Sequence, residues 1–238
     1  MKKAFILLLI IPILGIAQTK KTSIKTRSTV SKLGTTLDIA SALKEALNKG
    51  IADQVSKLTK EDGFYKNDLV KISMPEELAR VDKTLRKIGL GSLTDEGIKS
   101  LNRAAESAVK EATPVFIAAI KNIQIADAKS ILMGNESAAT TYLEQSTSKE
   151  LYEKFMPIVA QSIGSVGADV VWNGLIQKYN TLPLVSKVNP DLNDYVTHKA
   201  LEGVFKMIAV EEKNIRTNLN SRTTAALKKV FALQDIIK

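Results

Sequence analysis

Apolar residues recur along most of the chain at steps of three and four, the spacing that lays a stripe down one face of a helix. Leu37, Ala40, Leu43, Leu47, Ile51, Val55 and Leu58 form the first stripe, with Gly50 inside it and Lys60-Glu61-Asp62-Gly63 at its end. Ser73-Met74-Pro75-Glu76 has capping-box spacing and predicts a helix carrying Leu78, Val81, Leu85 and Ile88, stopped by Gly89 and Gly91. Thr94-Asp95-Glu96 predicts the next start, a cap followed by two acids where the helix dipole favours them. The stripe behind it runs Ile98, Leu101, Ala105, Ala108, Ala112. Pro114 falls inside that pattern, so the helix must kink or restart. Ala126 to Met133 reads as a short helix closed by Gly134, and Ser137 to Glu144 as another. Thr147-Ser148-Lys149-Glu150 reads as a second capping box, opening a segment in which Pro157 imposes the same choice as Pro114. Val166 to Tyr179 reads as a further helix with Trp172 in the core. Breaks at Thr181-Leu182-Pro183 and Asn189-Pro190-Asp191 precede a long helix from about Leu192 to Asn218 and a last one from Thr223. No run alternates with period two. The expected class is all-α: a single compact multi-helix bundle with kinked helices and no sheet, over residues 36–238.

The start of the chain has a different pattern. Met1-Lys2-Lys3 is a short basic start, Ala4 to Ile16 an apolar run, and Gly15-Ile16-Ala17 puts small residues before Gln18. That is the layout of a secretory signal peptide over residues 1–17. The apolar run is shorter than the roughly 20 residues a membrane-spanning helix needs. With no cysteine in the chain, a lipoprotein anchor, disulfides and cysteine-held metals are excluded. No later segment is long and apolar enough to cross a membrane. The expectation is an exported, soluble protein, periplasmic or, failing that, extracellular.

Export changes the meaning of the charge. The chain carries 34 basic and 25 acidic residues, a net of +9. Seven of the basic residues, Lys2, Lys3, Lys20, Lys21, Lys25, Arg27 and Lys32, precede residue 36, where no acidic residue stands. Residues 36–238 therefore hold 27 basic and 25 acidic residues, a net of +2. A nucleic-acid-binding domain needs a basic face of its own, so nucleic acid is excluded as a partner. Residues 18–35 read as a basic flexible linker, too poor in apolar residues to order themselves. Their cations are expected to have at most a weak attraction to an anionic membrane surface, about 1 kcal/mol per basic residue.

Candidate chemistry is sparse. His198 is the only histidine, which with no cysteine leaves nucleophilic triads unsupported. Asp194, four residues earlier, predicts an exposed surface pair with it. Asp191-Leu192-Asn193-Asp194-Tyr195 is similar to the start of a calcium loop, but Val196 stands where that loop requires glycine. The glycines are scattered singly, so no phosphate loop is expected, and no cofactor or metal is assigned. The unusual placement is Glu211-Glu212, where the stripe Leu201, Val204, Phe205, Ile208, Ile215 should continue. Arg216 follows Glu212 by four residues, the favourable order for an ion pair, and Arg222 comes just after the helix. Carboxylates beside an apolar stripe need partners. Glu211, Glu212, Arg216 and Arg222 are therefore expected to form a partly buried network closing the C-terminal helices onto the bundle; a ligand or metal site on the two glutamates is the alternative.

An ordered series of residues gives the chain a family resemblance. It includes Leu43-Lys44-Glu45-Ala46-Leu47, Asp62-Gly63-Phe64 with Asn67, Asn102-Arg103-Ala104-Ala105-Glu106, and Asp127-Ala128 with Ile131-Leu132 and Gly134. Ala138-Ala139-Thr140, Phe155 with Pro157, Asp191-Leu192 with Tyr195-Val196-Thr197, and Ala200-Leu201 continue it. Ile208-Ala209, Glu211-Glu212, Ile215-Arg216, Arg222-Thr223-Thr224 and Lys228-Lys229-Val230-Phe231 complete it. Over about residues 36–231 the chain resembles DUF4197, a family of exported bacterial helical proteins of unknown function. The resemblance implies a compact helical domain behind a signal peptide and implies no reaction. Three functions stay open at this point: a non-enzymatic envelope protein that binds a partner or has a structural role; a lipid or small-molecule carrier with a cavity at Ala105–Ala112, Phe116, Phe155 and Trp172; and a hydrolase using Glu211 or Glu212.

Overall fold

The computed structural model describes residues 36–237, apart from 88, 90, 166–176, 178–179, 182–186 and 188–190. The signal and linker residues, the helix expected around Trp172 and the proline breaks at 183 and 190 lie outside the described residues, as do the side chains of Val81 and Leu85. Among the described residues there is no strand, and the chain is all-α.

The first stripe folds as α1, Thr36–Leu58, and buries Ala40, Leu43, Ile51, Val55 and Leu58. A 3-10 turn, Glu76–Leu78, leads into α2, Ala79–Lys87. Helix α3 runs Gly91–Ala108, and a 3-10 turn at Val109–Glu111 separates it from α4, Ala112–Asn122. The expected restart near Pro114 therefore occurs, with the proline in the first turn of α4, where its missing N–H leaves no helical bond unmade. Helix α5, Ile125–Met133, ends at Gly134. Helix α6 runs Ala138–Ser165, α7 Leu192–Thr217, and α8 Ala225–Ile237 after a 3-10 turn at Leu219–Ser221. Asp191 caps α7 by accepting from the N–H groups of Asn193 and Asp194.

Helix α6 packs along α3 and α7, and α1 lies against α4, α5, α7 and α8. Phe64, Phe116 and Phe155 are fully buried between them, each contributing about 1.5–3 kcal/mol by leaving water. Ala104, Ala105, Ala108 and Ala112 are also fully buried, which lets the neighbouring helices approach α3 and α4 closely.

Three expected helix starts are corrected. Ser73 does not cap α2: no side-chain cap bond forms there, and the Ser73 carbonyl accepts instead from the Tyr195 hydroxyl at 2.9 Å. Thr94 does not cap α3 either. Gly89, at φ +82°, turns the chain so that Gly91 begins the helix, and Thr94 is buried one turn in. Helices 137–144 and 147 onward are one helix, α6. Thr147 sits in its interior and donates to the Leu143 carbonyl at 2.6 Å, as an interior threonine does, and α6 runs on through Pro157 to Ser165.

Candidate functional site

Glu212 and Arg216 are one turn apart on α7 and both buried. The Arg216 Nη2 lies 2.7 Å from Glu212 Oε1, and its Nε 2.9 Å from the same oxygen. Oε1 also accepts from the Ala139 N–H at 2.8 Å. Oε2 accepts from the Thr140 N–H and the Thr140 hydroxyl, each at 2.8 Å. The carboxylate thus sits on the first turn of α6, where N–H groups are otherwise unpaired and the helix dipole favours negative charge. Arg216 faces the other way along the turn. Its Nη1 donates to the Leu132 carbonyl at 3.0 Å and its Nη2 to the Ile131 carbonyl at 2.7 Å, at the end of α5. One ion pair therefore satisfies the tail of α5 and the head of α6, and fixes the turn between them to α7.

Arg222 repeats the device at the end of α7. Its Nε donates to the Ile215 carbonyl at 2.9 Å, and its guanidinium pairs with Asp235 on α8. Arg216 and Arg222 also lie over the Phe231 ring, with guanidinium carbons 5.4 Å and 5.6 Å from its centroid. The structure brings Glu212, Arg216 and Arg222 together. It does not bring Glu211 into the network: Glu211 is half-buried at the edge of an apolar cavity between α1, α7 and α8. That cavity has a volume of about 30 Å³, lined chiefly by Leu43, Leu47, Ile208, Leu227 and Phe231. Of the residues expected to line a carrier cavity, Ala105, Ala108, Ala112 and Phe155 are packed in the core instead, and Phe116 is a core residue at the base of a groove between α1 and α4.

A second buried group escaped sequence reasoning except as part of the family pattern. Glu106 on α3 accepts from the Phe64 and Tyr65 N–H groups at 3.0 Å and 3.3 Å, and pairs with Arg103 at 2.5 Å. Arg103 reaches Asp62 at 2.6 Å and Glu61 at 3.1 Å. The hydrogen bond from Lys66 foremost, with Arg103 beside it, holds the Asp62 carboxyl below the usual carboxylate range. Asn102 both accepts from the Ile72 N–H and donates to the Ile72 carbonyl, each at 2.8 Å. Helix α3 thereby clamps the strandless 59–75 connection by its backbone.

Two large grooves are open to solvent among the described residues: one of about 690 Å³ between α1 and α4, and one of about 570 Å³ between α6 and α7 that carries the more polar side chains. Leu201 and Phe205 form the floor of the α6–α7 groove; Tyr152 and His198 line one side; Glu144, Ser148, Lys149, Glu153 and Glu202 line the rest. Tyr152 donates its hydroxyl to Asp194 Oδ1 at 2.6 Å, and His198 Nε2 lies 3.4 Å from the same oxygen. The hydrogen bond to Asp194 first, and burial second, push the Tyr152 phenol up to about 12. The Asp194–His198 surface pair read from the sequence is present, and His198 is exposed. Among the described residues, no group of three or more His, Asp or Glu side chains is placed to hold a metal ion, and no helix is long and apolar enough to cross a membrane.

No curated protein and no solved structure matches this chain. The model of DUF4197, described as a protein of unknown function, matches residues 34–232. That span takes in the Glu212–Arg216 pair, the Glu106 clamp and the α6–α7 groove alike, and the chain belongs to the DUF4197 family.

Proposed function

We propose that the chain is an exported, non-enzymatic binding protein of the cell envelope, periplasmic in location, whose contact surface is the groove between α6 and α7. The observation that carries this reading is the state of Glu212. Five donors from Ala139, Thr140 and Arg216 occupy its two oxygens, so it has no lone pair left to take a proton or hold a metal. The most suggestive carboxylate in the sequence is spent on fold, which favours binding over hydrolysis. The α1–α7–α8 cavity has room for only a few waters, at roughly 10–15 Å³ each, which favours a surface contact over an enclosed lipid. The basic, apolar and small-residue order of residues 1–17 supports export.

Fractionation of cells expressing the full chain, followed by N-terminal sequencing and native mass spectrometry, tests the reading. The expected product is found outside the cytosol, begins at Gln18 and has the mass of the polypeptide alone after gentle purification. A precursor retained in the cytosol overturns export. A co-purified lipid mass overturns the surface-binding reading in favour of a carrier.

A further inference from the structure

We propose that the face α5 shares with α1 and α8 docks on an anionic lipid surface, acting together with the basic stretch of residues 18–35. This goes beyond the reading above and concerns a different face from the α6–α7 groove. Ile125, Lys129 and Met133 follow one another at four-residue steps, so they share one side of α5. Ile125 and Met133 are 45% and 38% exposed, and Lys129 between them is exposed. With the half-buried Ile39 of α1 and Leu233 of α8 they rim a depression of about 280 Å³ over the buried Leu132. Lys129 is the one charged residue of its lining. Lys229, one turn before Leu233, is exposed on the same side of α8. Acids on these helices are turned elsewhere. Asp127, the only acid of α5, falls on the opposite side from Ile125 and Lys129 and accepts from the Gln124 N–H at 3.3 Å. Asp235 of α8 pairs with Arg222.

Two features name lipid as the occupant. The first is the lysine in the middle of the apolar row. Lysine is depleted from the cores of protein interfaces. At a lipid surface its stem lies along the acyl boundary while its ammonium reaches the headgroup phosphates. The second is the chain that leads into this face. Ile39 is the fourth residue of α1, and residues 18–35 just before that helix hold Lys20, Lys21, Lys25, Arg27 and Lys32. The first acid of the chain is Asp38. Those cations are covalently tied to the helix that carries one edge of the apolar face, so a surface that attracts them draws that face toward it. A polybasic stretch and a small apolar face are each weak anchors alone; the two together hold a protein on an anionic membrane. Residues 36–238 carry a net of only +2, so the attraction belongs to this end of the molecule and not to the domain as a whole.

Co-sedimentation with lipid vesicles tests this. The chain from Gln18 to Lys238 contains every described residue and the basic stretch but not residues 1–17, so the result does not depend on export. The expected result is binding to vesicles of equal parts phosphatidylglycerol and phosphatidylcholine, little binding to phosphatidylcholine alone, and release as salt is raised. I125S/M133S is expected to bind about tenfold more weakly, and glutamine at the five basic positions of 18–35 to weaken binding by about tenfold or more. Both variants are expected to keep the parent's thermal midpoint. L69S, an exposed apolar change on the 59–75 connection, leaves binding as it was. No binding of the parent chain to the anionic vesicles, equal binding to phosphatidylcholine alone, or full-strength binding by either variant overturns the proposal. A parent that sediments as a dimer while I125S/M133S is monomeric and binds vesicles unchanged overturns it in favour of a second copy of this chain.

Discussion

Two residues, Phe64 and Gly203, meet where no local pattern brings them together. A Cβ built on Gly203 would lie 2.6 Å from Phe64 Cε1, and the ring is fully buried with nowhere to retreat. Gly203→Ala is expected to lose about 1–3 kcal/mol in urea unfolding, the usual range for overpacking a filled core, although alanine is the better helix former. Gly50 is the opposite case: nothing lies within 4 Å of a Cβ there, and the residue sits inside α1. Gly50→Ala is expected to raise stability by about 1 kcal/mol, read as a higher unfolding midpoint. In sequence the two glycines look alike, both set among apolar residues of a helix, and only the packing tells them apart. Tyr152 gives a pH prediction at this scale. Its phenol titrates higher folded, at about 12, than its ordinary value near 10. Its contribution to stability is whole below pH 10 and fades as pH rises from 10 to 12. Tyrosinate absorbance should show one group titrating near 12, and Asp194→Asn should bring that group down toward 10.

Helix α3 works as a clamp on the connection between α1 and α2. Asn102 holds both backbone polar groups of Ile72, and Glu106 accepts from the N–H groups of Phe64 and Tyr65. Asn102→Ala leaves a buried N–H and a buried carbonyl unpaired, about 1–3 kcal/mol for each group that finds no new partner. Hydrogen exchange should then speed up at Ile72 and its neighbours well before it does in α6; unchanged exchange at Ile72 would show that the clamp is not what holds the loop. This clamp was illegible in the sequence, because Arg103 and Glu106 read as an ordinary pair on a helix face while their other partners lie about 40 residues away. Helices α1, α5 and α7 were legible because apolar residues run up to a break in the sequence: Lys60 to Gly63 follows α1, Gly134 ends α5, and α7 starts just after Asp191. The starts of α2 and α3 were not, nor was the continuity of α6 past Glu144. Ser73, Thr94 and Thr147 each carry a hydroxyl at cap spacing, yet the same hydroxyl serves as well inside a helix, as Thr147 does by bonding to Leu143.

Across the whole molecule, charge is divided by task. The basic excess precedes residue 36, the domain behind it is close to neutral, and its buried ions bind backbone at helix ends rather than solvent or ligand. The sequence placed Glu212, Arg216 and Arg222 beside an apolar stripe and required partners for them. It could not name those partners, because Ala139, Thr140, Ile131 and Leu132 contribute only backbone and a hydroxyl, which leave no charge pattern to read. Membership of DUF4197 assigns no reaction to these charges, and their geometry gives them a structural one: closing α5, α6 and α8 onto α7. The most direct test is urea unfolding of Glu212→Gln. A neutral amide leaves the buried Arg216 without its counter-charge and removes an acceptor from Ala139 or Thr140, so unfolding free energy is expected to fall by about 3 kcal/mol with an unchanged denaturant slope. A variant as stable as the parent would contradict the account, and would return Glu212 to the list of groups held in place for chemistry.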